Sequence, residues 1–239
     1  MADKRPVAVF DVDGTIVRSS LVIEMTHELI RRGIFPQEAE QKFIDERDAW
    51  LNRRGHYDDY VNKIVDVYTT YLVGQEVSKI QEVADKVAKD QAHKTYRYTK
   101  DLVAKLKDSH FLLAISGSGI DSVQSFVKIH GFDLAYGSEI ASKDGLYTNQ
   151  TLVYGAREKG KTLDRIVDEH NLTLESSIGV GDTENDISFL EMVDQPIVFN
   201  PNSELLETAK NRGWKVVVER KDVVYELDIG DNGKHTLIS

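Results

Sequence analysis

Val7-Ala8-Val9-Phe10-Asp11-Val12-Asp13-Gly14-Thr15 is the stretch on which the fold of this 239-residue chain turns. Four consecutive apolar residues read as a strand buried on both faces, and the run ends abruptly at Asp11. Two further apolar segments end in the same way: Phe111-Leu112-Leu113-Ala114-Ile115 runs into Ser116, and Ile178-Gly179-Val180 runs into Gly181-Asp182. Buried strands on both sides of helical periodicity indicate a doubly wound, mostly parallel sheet. In such sheets ligands bind outside the carboxyl ends of the strands. If these strands are neighbours, Asp11, Asp13, Ser116, Asp182 and Asp186 share one crevice.

Working outward, the segment from Leu21 to Tyr96 changes character. Val22, Met25, Leu29 and Ile30 keep helical spacing, as do Tyr60, Ile64, Val67, Tyr68 and Tyr71, and then Ile80, Val83, Ala84 and Val87. With breaks near Gly33, Gly55 and Gly74, this predicts about four helices and no strand. From Asp101 the alternation resumes: a helix to Lys107, the strand 111–115, and a helix over 120–130. A hairpin is expected next, 138–140 with 147–154, turning at Asp144-Gly145. A helix from Lys159 to His170, a strand at 177–180, a helix at 185–193, a strand at 196–199, a helix at 203–212 and a strand at 214–218 follow. The tail, 223–238, reads as a short edge hairpin. The expected organisation is a Rossmann-like α/β core from 1–17 and 98–239, with an all-helical cap inserted at 18–97.

Composition narrows the function. Forty acidic against thirty basic side chains give a formal charge of −10, which disfavours nucleic acid and anionic membranes as partners. There is no cysteine, so disulfides and thiolate metal sites are excluded. The N-terminal apolar run is too short for a signal peptide, and no stretch of about 18 apolar residues occurs. A cytoplasmic protein is the default expectation. Four carboxylates in one crevice repel one another unless a cation neutralises them, and an all-oxygen ligand set suits Mg²⁺. His27-Glu28 lacks the second histidine of a zinc motif, since Arg31 occupies that place.

Asp11-Val12-Asp13-Gly14-Thr15 resembles the first motif of the haloacid dehalogenase superfamily. Ser116 is similar to the second motif, Lys159 to the third, and Gly181-Asp182-Thr183-Glu184-Asn185-Asp186 to the fourth, in the same order and spacing. A helical insertion soon after the first motif resembles the phosphoserine-phosphatase-like branch. The resemblance implies an Mg²⁺-dependent phosphomonoesterase acting on a small phosphorylated metabolite. It implies that Asp11 is the nucleophile and that Asp13 is the general acid and base. Asp11, Asp182 and the Asp13 carbonyl would hold the metal, with Asp186 in support. Ser116, the Gly117 amide, Lys159 and Asn185 would contact phosphate or substrate. The sequence departs from the branch in one respect: Ile16-Val17-Arg18-Ser19-Ser20 has no carboxylate to recognise a substrate ammonium, and Arg18 could repel one. Arg47, Arg53, Arg54, His56 and Tyr57 are cap residues that could meet a leaving group, although a solvated helix face accounts for them as well.

A strand-end aspartate alone is usually a turn or cap residue; it is the ordered set that argues for chemistry. Two competing readings stand beside it. Gly155-Ala156-Arg157-Glu158-Lys159-Gly160-Lys161-Thr162 fits the G-x-x-x-x-G-K-[ST] phosphate loop letter for letter, which would make Lys161 and Thr162 the nucleotide-binding residues of a kinase or ATPase. Against it, 151–154 is a poor central strand and Glu158 would sit among phosphates. Within the phosphatase reading, Lys161 is the fallback for Lys159. The other alternative is a binding protein that keeps the fold without turnover.

Overall fold

A computed structural model describes residues 4–229 and 235–238. Its centre is β1 (Pro6–Phe10), flanked on one side by β2 (Phe111–Gly119) and on the other by β5 (Thr173–Gly181), both parallel to it. Beyond β2 lie β3 (Leu134–Lys143) and the antiparallel β4 (Leu146–Val153). Beyond β5 lie β6 (Gln195–Phe199) and β7 (Lys215–Arg220), both parallel. They are followed by the antiparallel β8 (Val223–Ile229) and β9 (His235–Leu237). The order β4-β3-β2-β1-β5-β6-β7-β8-β9 reverses direction between β1 and β5. That reversal is a topological switch point, the place where an open α/β sheet leaves a crevice at its carboxyl edge.

Period-two geometry divides β1 between two cores. Val7 and Val9 join Leu113, Ile115, Leu163, Phe189 and Leu205 on one face, beneath α8 (Lys159–Glu169), α9 (Ile187–Leu190) and α10 (Ser203–Arg212). Ala8 and Phe10 join the other face, which α7 (Ile120–His130) covers. That second cluster continues without a break into the helices that follow β1. These are α1 (Leu21–Arg31), α2 (Glu38–Gln41), α3 (Ile44–Leu51), α4 (Tyr57–Leu72) and α5 (Val77–Gln91). The two ends of this helical segment meet where Val17 pairs with Thr95, Arg18 N–H donates to the Lys94 carbonyl, and Tyr96 N–H donates to the Ile16 carbonyl.

The structure departs from the sequence expectations in several places; β2 runs on to Gly119 and β5 begins at Thr173, each four residues beyond the strand expected there. The segment after β1 holds five helices rather than about four, because α2 is a single short turn of no clear periodicity. The helix expected over 185–193 is a 3₁₀ turn, Glu184–Asp186, followed by the four-residue α9. β3 begins at Leu134, ahead of the hairpin, because Leu134–Tyr136 pair in parallel with Leu113–Ile115. α6 (Arg97–Leu106) starts four residues early. Its cap comes from far away in sequence: the buried Glu219 carboxylate accepts from Arg97 N at 3.1 Å and Tyr98 N at 2.9 Å. Asp144 and Gly145 both take positive φ at the β3–β4 turn, as an Asp-Gly hairpin requires. Among the described residues no helix is long and apolar enough to cross a membrane.

Candidate active site

The exits of β1 and β5, and β2 just past its parallel pairing with β3 at Ile115, deliver Asp11, Asp182 and Ser116 to the switch point. The Asp11 amide donates to the Val180 carbonyl at 2.9 Å, which ties the exit of β1 to that of β5. The chain then folds tightly on itself. Ile16 and Val17 both donate to the Val12 carbonyl, and Gly14, at φ +79°, donates to the Val17 carbonyl. Gly14 is obligatory on two counts. Its φ lies in the left-handed region, and a Cβ there would overlap the Asp182 carboxylate. This turn aims Asp13 across the crevice, where Oδ1 accepts from the Leu21 amide at the start of α1 (2.5 Å) and Oδ2 from the Ser116 hydroxyl (2.6 Å). Ser116 is fully buried, and its hydroxyl oxygen also accepts from the Ser118 amide.

Lys159, the first residue of α8, enters from the opposite wall with only 3% of its surface exposed. Its ammonium bridges Asp11 Oδ1 at 2.6 Å and Asp186 Oδ1 at 2.5 Å. Asp186 Oδ2 in turn accepts from the Asp182 and Thr183 amides at 2.9 and 3.0 Å, completing a capping box with Thr183 on the 3₁₀ turn. The backbone carrying Asp182 is thereby held by Asp186. Thr15 Oγ1 donates to Asp182 Oδ1 at 3.2 Å.

One ammonium faces four carboxylates, and the electrostatics show the imbalance. Burial pushes Asp11 up to about 7; Lys159 opposes the shift, while Asp186 and Asp13 add to it. Burial, then Asp11 and Asp186, raise Asp182 well above the usual carboxylate range. For Lys159 burial disfavours the charge, but Asp11 and Asp186 more than offset this and hold its pKa above that of a free lysine. Oxygens of Asp11, Asp182 and Asp186 lie within 4.8 Å of one another, and Asp11 Oδ2 is buried without a hydrogen-bond partner. An orphaned buried carboxylate oxygen in an all-oxygen cluster is what a hard divalent cation satisfies. The residues present therefore fit Mg²⁺.

Six of the residues singled out from sequence, Asp11, Asp13, Ser116, Lys159, Asp182 and Asp186, are thus brought together. Gly117 follows Ser116 in the last part of β2, half-buried, with its carbonyl accepting from Ser138. Asn185 stands exposed on the rim and shares no hydrogen bond with the cluster among the described residues. The contribution of Thr15 was not legible, since a threonine after a glycine turn carries no marker of a partner 167 positions away.

The phosphate-loop match does not form a phosphate cradle. The strand before it is the antiparallel edge strand β4, and the Lys161 side chain is 84% exposed, 3.8 Å from Glu158. Packing accounts for both glycines: a Cβ at Gly155 would strike the Ser116 carbonyl, and one at Gly160 would lie 2.8 Å from the Ser188 carbonyl. The fallback to Lys161 falls with it. Arg18, which could have repelled a substrate ammonium, instead pairs with Glu219 at 3.4 Å and lies over the Tyr96 ring. In the helical segment after β1, Arg47 pairs with Glu40 and Asp48, and Arg53 and Arg54 are exposed, Arg53 lying over the Trp50 ring. Tyr57 differs from these. It is half-buried against Trp50 at the start of α4, and burial, with Asp13 and Asp182 adding to it, raises its phenol pKa.

The chain is similar in sequence and in fold to known proteins. The chain is 23% identical over 225 residues to a histidinol-phosphatase of Neisseria meningitidis, covering 88% of this chain and 97% of that one. It is 23% identical over 226 residues to a phosphoserine phosphatase of Methanocaldococcus jannaschii, with 93% and 96% covered. Among solved structures, a Bordetella pertussis protein of unknown function superposes with a TM-score of 0.73 at 20% identity over 90% of this chain and 98% of that one. A phosphoserine phosphatase in a phospho-aspartyl intermediate analogue form gives 0.60 at 20% identity over 92% and 96%. The model of the haloacid dehalogenase-like hydrolases matches residues 8–191, most of the chain and every strand end that builds the crevice, and the protein belongs to that family.

Proposed function

We propose that the protein is a Mg²⁺-dependent phosphomonoesterase that transfers the phosphoryl group of a small metabolite to Asp11 and then to water. The observation that carries this reading is the Asp11 carboxylate. One of its oxygens is fixed by Lys159 and the other is buried without a protein partner, at the mouth of a switch-point crevice. Asp11 and Asp182 would hold the metal together with the Asp13 carbonyl, and Asp186 would support them. The metal supplies charge neutralisation for the phosphoryl oxygens, which would otherwise face four carboxylates.

Asp11 attacks phosphorus through a carboxylate oxygen, forming an aspartyl-phosphate as the bond to the leaving alcohol breaks. Asp13, held by Leu21 and Ser116 on the other side of the crevice, hands a proton to the departing oxygen and later takes one from the hydrolytic water. Ser116 and Gly117 hold phosphoryl oxygens, and Lys159 offsets the charge that shifts onto Asp11 during transfer. Asn185 reaches substrate from the rim. Residues 18–97 act as a cap that shelters the phosphoenzyme, with Tyr57 facing the reacting groups. Histidinol phosphate and phosphoserine, named by the relatives, are first substrates to assay.

The test is hydrolysis of p-nitrophenyl phosphate with Mg²⁺, combined with mass spectrometry of the acid-quenched enzyme. Turnover should vanish in Asp11→Asn and in EDTA, and an 80 Da adduct, roughly the mass of one phosphoryl group, should map to the peptide containing Asp11. Activity that survives both treatments ends the proposal.

A further inference from the structure

A cavity of about 250 Å³ opens beside the phosphoryl-binding segment, with Gly117, one residue past Ser116, in its wall. Its roof is the face of α4 that carries Val65, Tyr68 and Leu72, and its floor is the start of α7 and the β3–β4 hairpin. At about 30 Å³ for each water-sized group it has room for roughly eight non-hydrogen atoms, an amino-alcohol rather than a nucleoside. Two formal charges line it, Asp121 and Glu139, and among the described residues no lysine, arginine or histidine does. Asp121 is fixed by the Tyr147 hydroxyl at 2.6 Å, so one carboxylate is held in place beneath an apolar roof. Neither carboxylate meets a basic side chain in an ion pair among the described residues.

We propose that this cavity receives the alcohol part of the substrate. It selects phosphomonoesters whose alcohol carries an ammonium or other cationic group and no carboxylate. The inference rests on the phosphomonoesterase reading above. A leaving group with a carboxylate would bring a third negative charge against the half-buried Asp121 and the exposed Glu139, with no lysine, arginine or histidine in the lining to meet it, and the repulsion from Asp121, beneath the apolar roof, is the less screened of the two. An ammonium there gains from both. The positive charge that could reverse this preference, Arg18, is committed to Glu219 on the far side of the crevice.

O-Phosphoethanolamine and O-phospho-L-serine share phosphate and amine and differ by one carboxylate, so the ratio of their kcat/KM values isolates its effect; L-histidinol phosphate is a second carboxylate-free ammonium ester. We expect both carboxylate-free esters to exceed phosphoserine by about tenfold or more. Asp121→Asn should cut the ratio about tenfold, and Glu139→Lys, at an exposed position, should lower it in the same direction by a smaller factor, both checked for folding by circular dichroism. If p-nitrophenyl phosphate is hydrolysed while phosphoserine is turned over as well as both carboxylate-free esters, the inference falls and the phosphomonoesterase reading stands. A ratio that neither folded variant moves also overturns it. If no phosphate ester is hydrolysed at all, the functional reading fails and the inference fails with it.

Discussion

One methyl group placed at Gly14 tests the geometry of the crevice more sharply than removal of a charged side chain does. Gly14 has φ +79°, and a Cβ there would overlap Asp182 Oδ2 and lie 3.0 Å from its Cγ. Two costs follow from Gly14→Ala. The left-handed backbone costs about 1–2 kcal/mol with any Cβ, or roughly 2–8 °C in Tm for a chain of this size. The collision must also displace the Asp182 carboxylate from its place beside Asp11 and Thr15, and a shift of about 1 Å at a reacting centre costs on the order of 100-fold in rate. Gly131→Ala separates the two costs. Gly131 ends α7 at φ +76° with open space around it, so it incurs the backbone cost without a collision. In thermal melts Gly14→Ala should fall at least as far as Gly131→Ala. In p-nitrophenyl phosphate assays titrated with Mg²⁺, Gly14→Ala should lose about 100-fold or more in kcat/KM and need more metal, while Gly131→Ala stays near wild type. A Gly14→Ala enzyme within threefold of wild type would refute the positions assigned to Gly14 and Asp182.

Lys159→Ala should cost about 100-fold or more in kcat, because the ammonium at 2.6 Å from Asp11 is lost, whereas Lys161→Ala, an 84% exposed side chain, should change it less than twofold; steady-state kinetics giving the reverse ranking would restore the phosphate-loop reading. Glu219→Ala removes the acceptor for two amides of α6 and should destabilise the protein by about 2–3 kcal/mol, read as a lowered urea midpoint, while Glu219→Gln keeps one acceptor and should lose about half of that. Burial lowers the His27 pKa below 6.5, against the opposing pull of Glu24 and Glu40, and leaves Nε2 unpaired beside Phe43. The unfolded chain then binds the extra proton first, so this contribution to stability is complete above pH 6.5 and is lost as pH falls through the lower folded value. His27→Phe should therefore show a smaller drop in Tm between pH 7.5 and pH 5 than wild type, and an equal drop would exclude the histidine as the source.

What the sequence determined by itself is the local chemistry of the strand ends. An apolar run broken by Asp11, with a glycine three residues on, specifies a buried parallel strand and a turn, because both signals are written in adjacent residues. The same holds for Ser116 after the apolar run 111–115 and Asp182 after β5. Only the tertiary structure chose between Lys159 and Lys161. Two residues apart on a helix, they point about 200° away from each other, so when α8 packs on α9 one is driven into the crevice and the other into solvent. It also decided where α6 begins, since the cap comes from Glu219, more than a hundred positions downstream. Arg18, which the sequence left free to meet a substrate, is bound to the same glutamate. These outcomes depend on pairs distant along the chain, and the energy of such a pair exists only once the intervening segment has folded to bring its members together.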